Sequence, residues 1–156
     1  LMVTHGITTG ALFVLVALIQ ERTGTRSLKE LGGLWGQAPC LGFLFLLFSL
    51  ASLGLPGLAN FAGEILVLLG TFQQHPFWAV IALLGVVFAA AYILRLVQGV
   101  LWGPVYKERS LPDLTLREWI ILLPMALLVV WMGVYPEPFL APMHGAVAFL
   151  LAGGLP

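Results

Sequence analysis

Positions 40 to 72 read CLGFLFLLFSLASLGLPGLANFAGEILVLLGTF, a run with a single charged residue, Glu64, and a single proline, Pro56. As a continuous helix it would be ~50 Å long at ~1.5 Å per residue. That is too long for one ordinary crossing of a ~30 Å hydrocarbon core, while two crossings need about 40 residues plus a turn. Pro56 has no backbone donor and disfavours helix in the residue before it, and Gly54 and Gly57 flank it. The run is therefore expected to form one discontinuous helix, two halves around a break at Gly54 to Gly57. Inside a bilayer, exposed backbone groups persist only where protein or a water-filled cavity satisfies them. A break at this depth is a candidate ion site; a plain proline kink with no ion role fits the same residues.

The surroundings are similarly apolar. Of 156 residues, 60% are hydrophobic and 9% charged, against about a quarter charged in a soluble domain, too few to coat a water-facing surface. Seven basic and seven acidic residues cancel to a formal net charge of zero, which offers no basic face to nucleic acid. The charges cluster as well: none falls in 1–20, 31–63, 65–94, 119–136 or 138–156. Stretches of ~18 residues or more can cross a membrane as helices. Composition thus excludes a soluble enzyme, a nucleic-acid binder and a disordered chain. It points to an all-α, polytopic transmembrane bundle of about four spans, occupying 1–156 as one unit.

The spans are expected at about 1–19, 40–72 (broken), 77–102 and 119–135, with a short apolar segment at 144–151 that cannot span. Gly6, Thr8, Thr9 and Gly10 give the first span a small, hydroxyl-bearing surface suited to close helix contact in lipid. The connection after it holds Arg22, Arg26 and Lys29, and the one after the third span holds Lys107, Arg109 and Arg117; the 73–76 turn and the residues after 135 hold no basic residue. Basic loops stay cytoplasmic, and this pattern alternates correctly only if 40–72 crosses once. The C-terminal tail is then non-cytoplasmic. Trp35, Trp78, Trp102, Trp119 and Tyr135 sit near span ends, as interfacial belts require. The lone cysteine, Cys40, excludes an internal disulfide framework and a thiolate cluster and reads as a small buried hydrophobe. The chain opens without a basic leader, within an apolar run, and is expected to be a fragment of something longer.

Two charged side chains fall inside the spans, Glu64 and Arg95. A carboxylate in hydrocarbon costs several kcal/mol unless paired, hydrated or protonated, and an acid kept from water suits the loading and release of protons. Glu64 is the expected proton carrier, with a structural pair to Arg95 as the alternative. Arg95 stays charged and cannot pass a proton at ordinary pH; a structural or field-setting role, snorkelling to the interface, fits it. His5 lies ~21 Å along its helix from Ile19, deep enough to relay protons, or else to be a packed, hydrogen-bonded histidine. His75 and His144 read as interfacial. No spacing specifies a metal or a phosphate loop, and no motif on the chain would hold flavin, haem or an iron–sulfur cluster.

A set of short motifs runs through nearly the whole chain. His5-Gly6, Gly10-Ala11-Leu12-Phe13, Glu21-Arg22-Thr23, Thr25-Arg26 and Gly32-Gly33-Leu34 come first. Ala51-Ser52-Leu53-Gly54-Leu55-Pro56-Gly57, Asn60-Phe61 and Gly63-Glu64 follow. Ala91-Tyr92, Leu94-Arg95, Gly103, Leu116-Arg117-Glu118 and Gly133-Val134-Tyr135-Pro136 complete the series. In this order they resemble the antiporter-like membrane subunits of respiratory complex I, the proton-pumping NADH:quinone oxidoreductase. That resemblance implies the C-terminal part of a proton channel of two inverted helical repeats, each with one broken helix, the second matching 40–72. It implies that Glu64 is the titratable end of a buried polar chain, where sister subunits carry Lys, and that His5 is a relay on the preceding helix. Pro56 and Gly57 would shape the break. The family's Glu–Lys pair and further Lys on earlier helices have no counterpart here, so this piece alone would not complete a channel. Gly99 stands where the family often has a basic residue.

The resemblance further implies a translocase subunit without a redox centre or cofactor of its own. It would be coupled to electron transfer elsewhere in the assembly and partnered by neighbouring membrane subunits, the lipid bilayer and protons. The setting would be an energy-transducing membrane such as the bacterial inner (plasma) membrane. The alternatives are a cation/proton antiporter or membrane-hydrogenase subunit of the same superfamily, or a purely structural scaffold locked by a Glu64–Arg95 pair.

Overall fold

A computed structural model describes residues 1–105 and 111–151, and every regular element among them is helical. Helix α1 spans Met2–Thr23, α2 Leu34–Gln37, α3 Pro39–Ser52, α4 Ala59–Gln74, α5 Pro76–Trp102, α6 Leu116–Val134 and α7 Glu137–Leu151. Lys107 and Arg109, counted in the topology argument, lie outside the described residues.

The 40–72 run is interrupted as its glycines and proline demand. Helix α3 has 14 residues and α4 has 16, each short of the ~20 needed to cross alone. Helices α1, α5 and α6 are each long and apolar enough to cross a membrane. The first helix runs on from Ile19 to Thr23 and stops at Gly24, whose φ of 73° places it in the left-handed region, with its N–H donating to Gln20 O at 2.7 Å. A proline begins α3 and another begins α5, where the missing N–H is one of the donors that has no helical partner anyway.

The buried face of α1 is a single stripe, Thr4, Thr8, Ala11, Leu15 and Ile19, at the three- and four-residue spacing of one helix face. Its composition changes along its length. Ala11, Leu15 and Ile19 join Leu41, Leu44, Phe48, Leu101, Leu122 and Val129 in the apolar core, whereas Thr4 and Thr8 place hydroxyls at the other end. Helix α5 contributes few core residues, and its Phe77, Trp78, Val87 and Phe88 are exposed. In lipid an outward apolar surface carries no penalty. Trp35 and Trp102 meet with ring centroids 5.7 Å apart where α2 and the end of α5 converge.

Two expectations need correction. The tail helix is longer than the expected 144–151 segment: α7 already begins at Glu137, because the acid and Pro138 occupy the first turn, where both are favourable. Cys40 is exposed, not buried: it sits in the first turn of α3, ahead of the residues that face the core.

Helix α6 closes over the break. A methyl built on Gly133 would collide with Gly57 O and the Leu58 backbone, so two backbones touch there. Gly133→Ala should overpack this contact and cost about 1–3 kcal/mol, seen as a lower thermal midpoint of the purified full-length protein. An unchanged midpoint would show that α6 stands clear of the break.

Candidate functional site

The site is built from the way α3 ends. Gly54 takes φ 72° and Gly57 φ 89°, conformations open to glycine and costly to residues with a Cβ. Gly54 N–H donates to Ala51 O at 3.2 Å and Leu55 N–H to Leu50 O at 3.2 Å, the paired bonds of a Schellman stop. After Pro56 the chain turns back, Leu58 N–H donating to Leu55 O at 3.0 Å, and α4 starts at Ala59.

Glu64 lies in the second turn of α4. Side chains on a helix lean toward its N-terminus, so this one leans back to the break. Its carboxylate occupies the place a Cβ on Gly54 would take, and both oxygens lie against that glycine. Glu64 is half-buried. The two glycines thus act differently, Gly57 by turning the chain under α6 and Gly54 by making room for the acid.

Across from α4 stands α1. His5 is exposed on α1, and its Nε2 is 3.3 Å from Thr9 Oγ1. Thr8 Oγ1, fully buried, donates to the carbonyls of Thr4 and His5, each at 3.0 Å. It also accepts from Asn60 Nδ2 at 3.4 Å. The structure therefore brings Glu64, Pro56, Gly57 and His5 to one end of the bundle. Arg95 is elsewhere. Ile93, Val97 and Val100 turn α5 toward the core, Arg95 is exposed, and among the described residues no ion pair joins it to Glu64.

A second polar cluster, unforeseen, lies at the opposite end. Arg22 reaches Glu118 with bonds of 2.7 and 2.9 Å and also donates to Pro112 O at 2.7 Å and Asp113 O at 3.3 Å. Glu118 accepts from Thr115 N–H at 2.7 Å, completing a capping box at the start of α6. The Asp113 carboxylate accepts from the amides of Cys40, Leu41 and Leu114 at 2.8–2.9 Å, and so caps α3 from a distant loop. Burial pushes this carboxyl up, but the Cys40, Leu41 and Leu114 amides outweigh it and hold it below the usual carboxylate range. The Thr115-x-x-Glu118 spacing was a legible sign of this cluster; the Asp113 contact left no local sign. Nearby, a cavity of about 310 Å³ is lined by Thr23, Thr25, Glu30, Gln37 and Val100, among others.

Apolar membrane-length helices, beside one interrupted where an acid is seated, define a polytopic helical membrane protein. The family described as "NADH:quinone oxidoreductase/Mrp antiporter, TM" matches residues 1–89, and the chain belongs to that family. It is 42% identical over 153 residues to "NADH-quinone oxidoreductase subunit M" of Pseudomonas aeruginosa, covering 96% of this chain and 30% of that protein. It is also 42% identical to "NADH-ubiquinone oxidoreductase chain 4" of Marchantia polymorpha, covering 99% of this chain and 32% of the other. Among solved structures, a chain of "Respiratory complex I from Thermus thermophilus with bound NADH" superposes with a TM-score of 0.84 at 39% identity, over 90% of this chain and 30% of that one. The chain spans about a third of the length of the curated relatives it matches.

Gly54→Ala should cost about 1–3 kcal/mol through the positive φ alone and should displace the carboxylate. Hydrogen–deuterium exchange of the full-length protein should then quicken at the amides around the break, and unchanged exchange would contradict the seat described. At Asp113 the lowered carboxyl stabilises the fold above the ordinary carboxylate range, about pH 4, and that stabilisation disappears as pH falls below it. Asp113→Asn should lower the melting temperature at pH 7 and remove this part of the acid loss, as measured by melting between pH 7 and 3.

Proposed function

We propose that this chain is part of a proton-translocating membrane subunit of NADH:quinone oxidoreductase, with Glu64 as its proton carrier. The observation that carries the reading is the Glu64 carboxylate seated on Gly54 at the helix break. Backbone groups freed at an intramembrane break need polar company, and an ionisable residue at such a place is by default functional. His5, whose imidazole can both accept and donate, acts as relay from α1. Pro56 and Gly57 hold the break, and Arg95 contributes charge without carrying protons.

On this reading the chain contributes to a translocase, holds no redox centre, cofactor or metal, and moves protons while electrons reach quinone elsewhere in the assembly. Its partners are neighbouring membrane subunits and lipid, in an energy-transducing membrane, the bacterial inner membrane by preference. The shared end of Arg22, Arg26, Lys29 and Arg117 supports a cytoplasmic position for both connections and a non-cytoplasmic C-terminus. The family description also covers Mrp antiporters, and a sodium requirement for transport would favour that reading. The scaffold reading loses its main support, because no Glu64–Arg95 pair exists among the described residues.

Glu64→Gln in the full-length subunit, assembled in its complex, should leave assembly intact and abolish or sharply reduce proton translocation, with Glu64→Asp milder because it still ionises. A Gln variant that assembles and pumps at the wild-type rate removes Glu64 from the pathway.

A further inference from the structure

At the Arg22 end of the bundle two cavities lie side by side, and Ile19, Thr25, Leu31 and Val100 line both. The polar one, of about 310 Å³, also carries Glu30 and Gln37. The other, of about 280 Å³, is an apolar groove in which Val16, Leu28, Phe45 and Leu96 accompany a single charged residue, Arg26. The Gln37 side chain makes no hydrogen bond among the described residues, and its Oε1 is buried without a donor, a costly state for an amide. Arg26 gives its Nε–H to Gln20, which leaves its two terminal nitrogens without a partner among the described residues. Glu30 is exposed, and its carboxylate is likewise unpaired among them. The depth suits a bilayer edge. Trp35 and Trp102 pair at this end, at the level where such rings sit between headgroups and hydrocarbon. Val16 and Leu96 lie about 10 Å further down their helices.

We propose that the paired cavities bind one phospholipid with a primary ammonium headgroup, of the phosphatidylethanolamine type, its acyl chain in the groove and its headgroup in the polar cavity. The terminal nitrogens of Arg26 hold the phosphate, whose oxygens match the fork of a guanidinium. The ammonium brings three N–H donors to the acceptors of the polar cavity, the Glu30 carboxylate and the Gln37 amide oxygen, and no protein partner fixes that amide either way round. A choline headgroup has no N–H to give, and a glycerol headgroup brings no cation to Glu30. An apolar helix from another subunit would fill the groove and leave the acceptors of the polar cavity unmet. The site is separate from the helix break, and its occupancy does not depend on what Glu64 does.

The test uses the full-length subunit within its assembled complex, reconstituted in phosphatidylcholine vesicles that contain a phosphatidylethanolamine with a diazirine in its acyl chain. After illumination, label should concentrate on the peptides that hold Val16, Phe45 and Leu96. Excess unlabelled phosphatidylethanolamine should displace it where phosphatidylglycerol does not. Arg26→Gln should cut this label roughly tenfold, the effect of about one charge-assisted hydrogen bond, and Glu30→Gln should remove the preference over phosphatidylglycerol. Label spread evenly over the exposed apolar faces of α4 and α5, as an ordinary lipid annulus gives, overturns the proposal. A groove that takes no label, the result of a protein segment covering it, overturns it too, as does equal displacement by phosphatidylglycerol or an undiminished label in Arg26→Gln. Should the Arg26 variant not assemble, the position of the label and its displacement in the unaltered complex decide.

Discussion

A helix that stops inside hydrocarbon leaves amides and carbonyls that lipid cannot satisfy, and a carboxyl beside it has no water shell. The architecture around residues 53–58 answers both demands with little material. Backbone pairs from Gly54 and Leu55 end α3, Gly133 lets α6 cover Gly57 and Leu58, and the bare Cα of Gly54 receives the acid. The glycines matter because each is a place where a neighbour comes closer than any side chain would allow. Removing room at one of them therefore affects the acid as well as the chain path.

The sequence was most legible where local chemistry forbids alternatives. Pro56 between Gly54 and Gly57, in a run too long for one crossing and too short for two, marked the break. Glu64, the lone charge in that run, marked the acid. The membrane-length helices followed from the distribution of charges. What stayed hidden depends on direction or on distance along the chain. Which glycine seats the carboxylate depends on the backward lean of helical side chains combined with a left-handed turn, and Gly54 and Gly57 look alike in a string of letters. Asn60 meets Thr8 across 52 positions, and Asp113 meets Cys40 across 73. Pairing at that range is decided by how helices stack, which periodicity does not encode. Cys40 failed as a buried residue for a related reason: apolar neighbours in sequence do not say which face of a first turn looks inward.

The charges outside the break explain how an almost apolar chain still takes one arrangement. Apolar packing in a membrane is permissive, because lipid competes with protein for the same surfaces. Directional bonds remove that freedom. Arg22 ties the end of α1 to the start of α6, and Asp113 ties a loop to the start of α3. The Arg22 and Glu118 side chains are 7% and 16% exposed, so their pairing is better shielded from salt than an ordinary surface bridge.

These ties all lie at one tip of the bundle, while the acid tip relies on glycine contacts and one amide bond of 3.4 Å. Held by directional bonds at one tip and by packing at the other, α3 tilts about the bonded tip. Over the ~21 Å length of α3, a swing of about 3° moves the far tip by about 1 Å. That travel separates a made hydrogen bond from a broken one, so a slight tilt of α3 would carry Gly54 away from the carboxylate that rests on it.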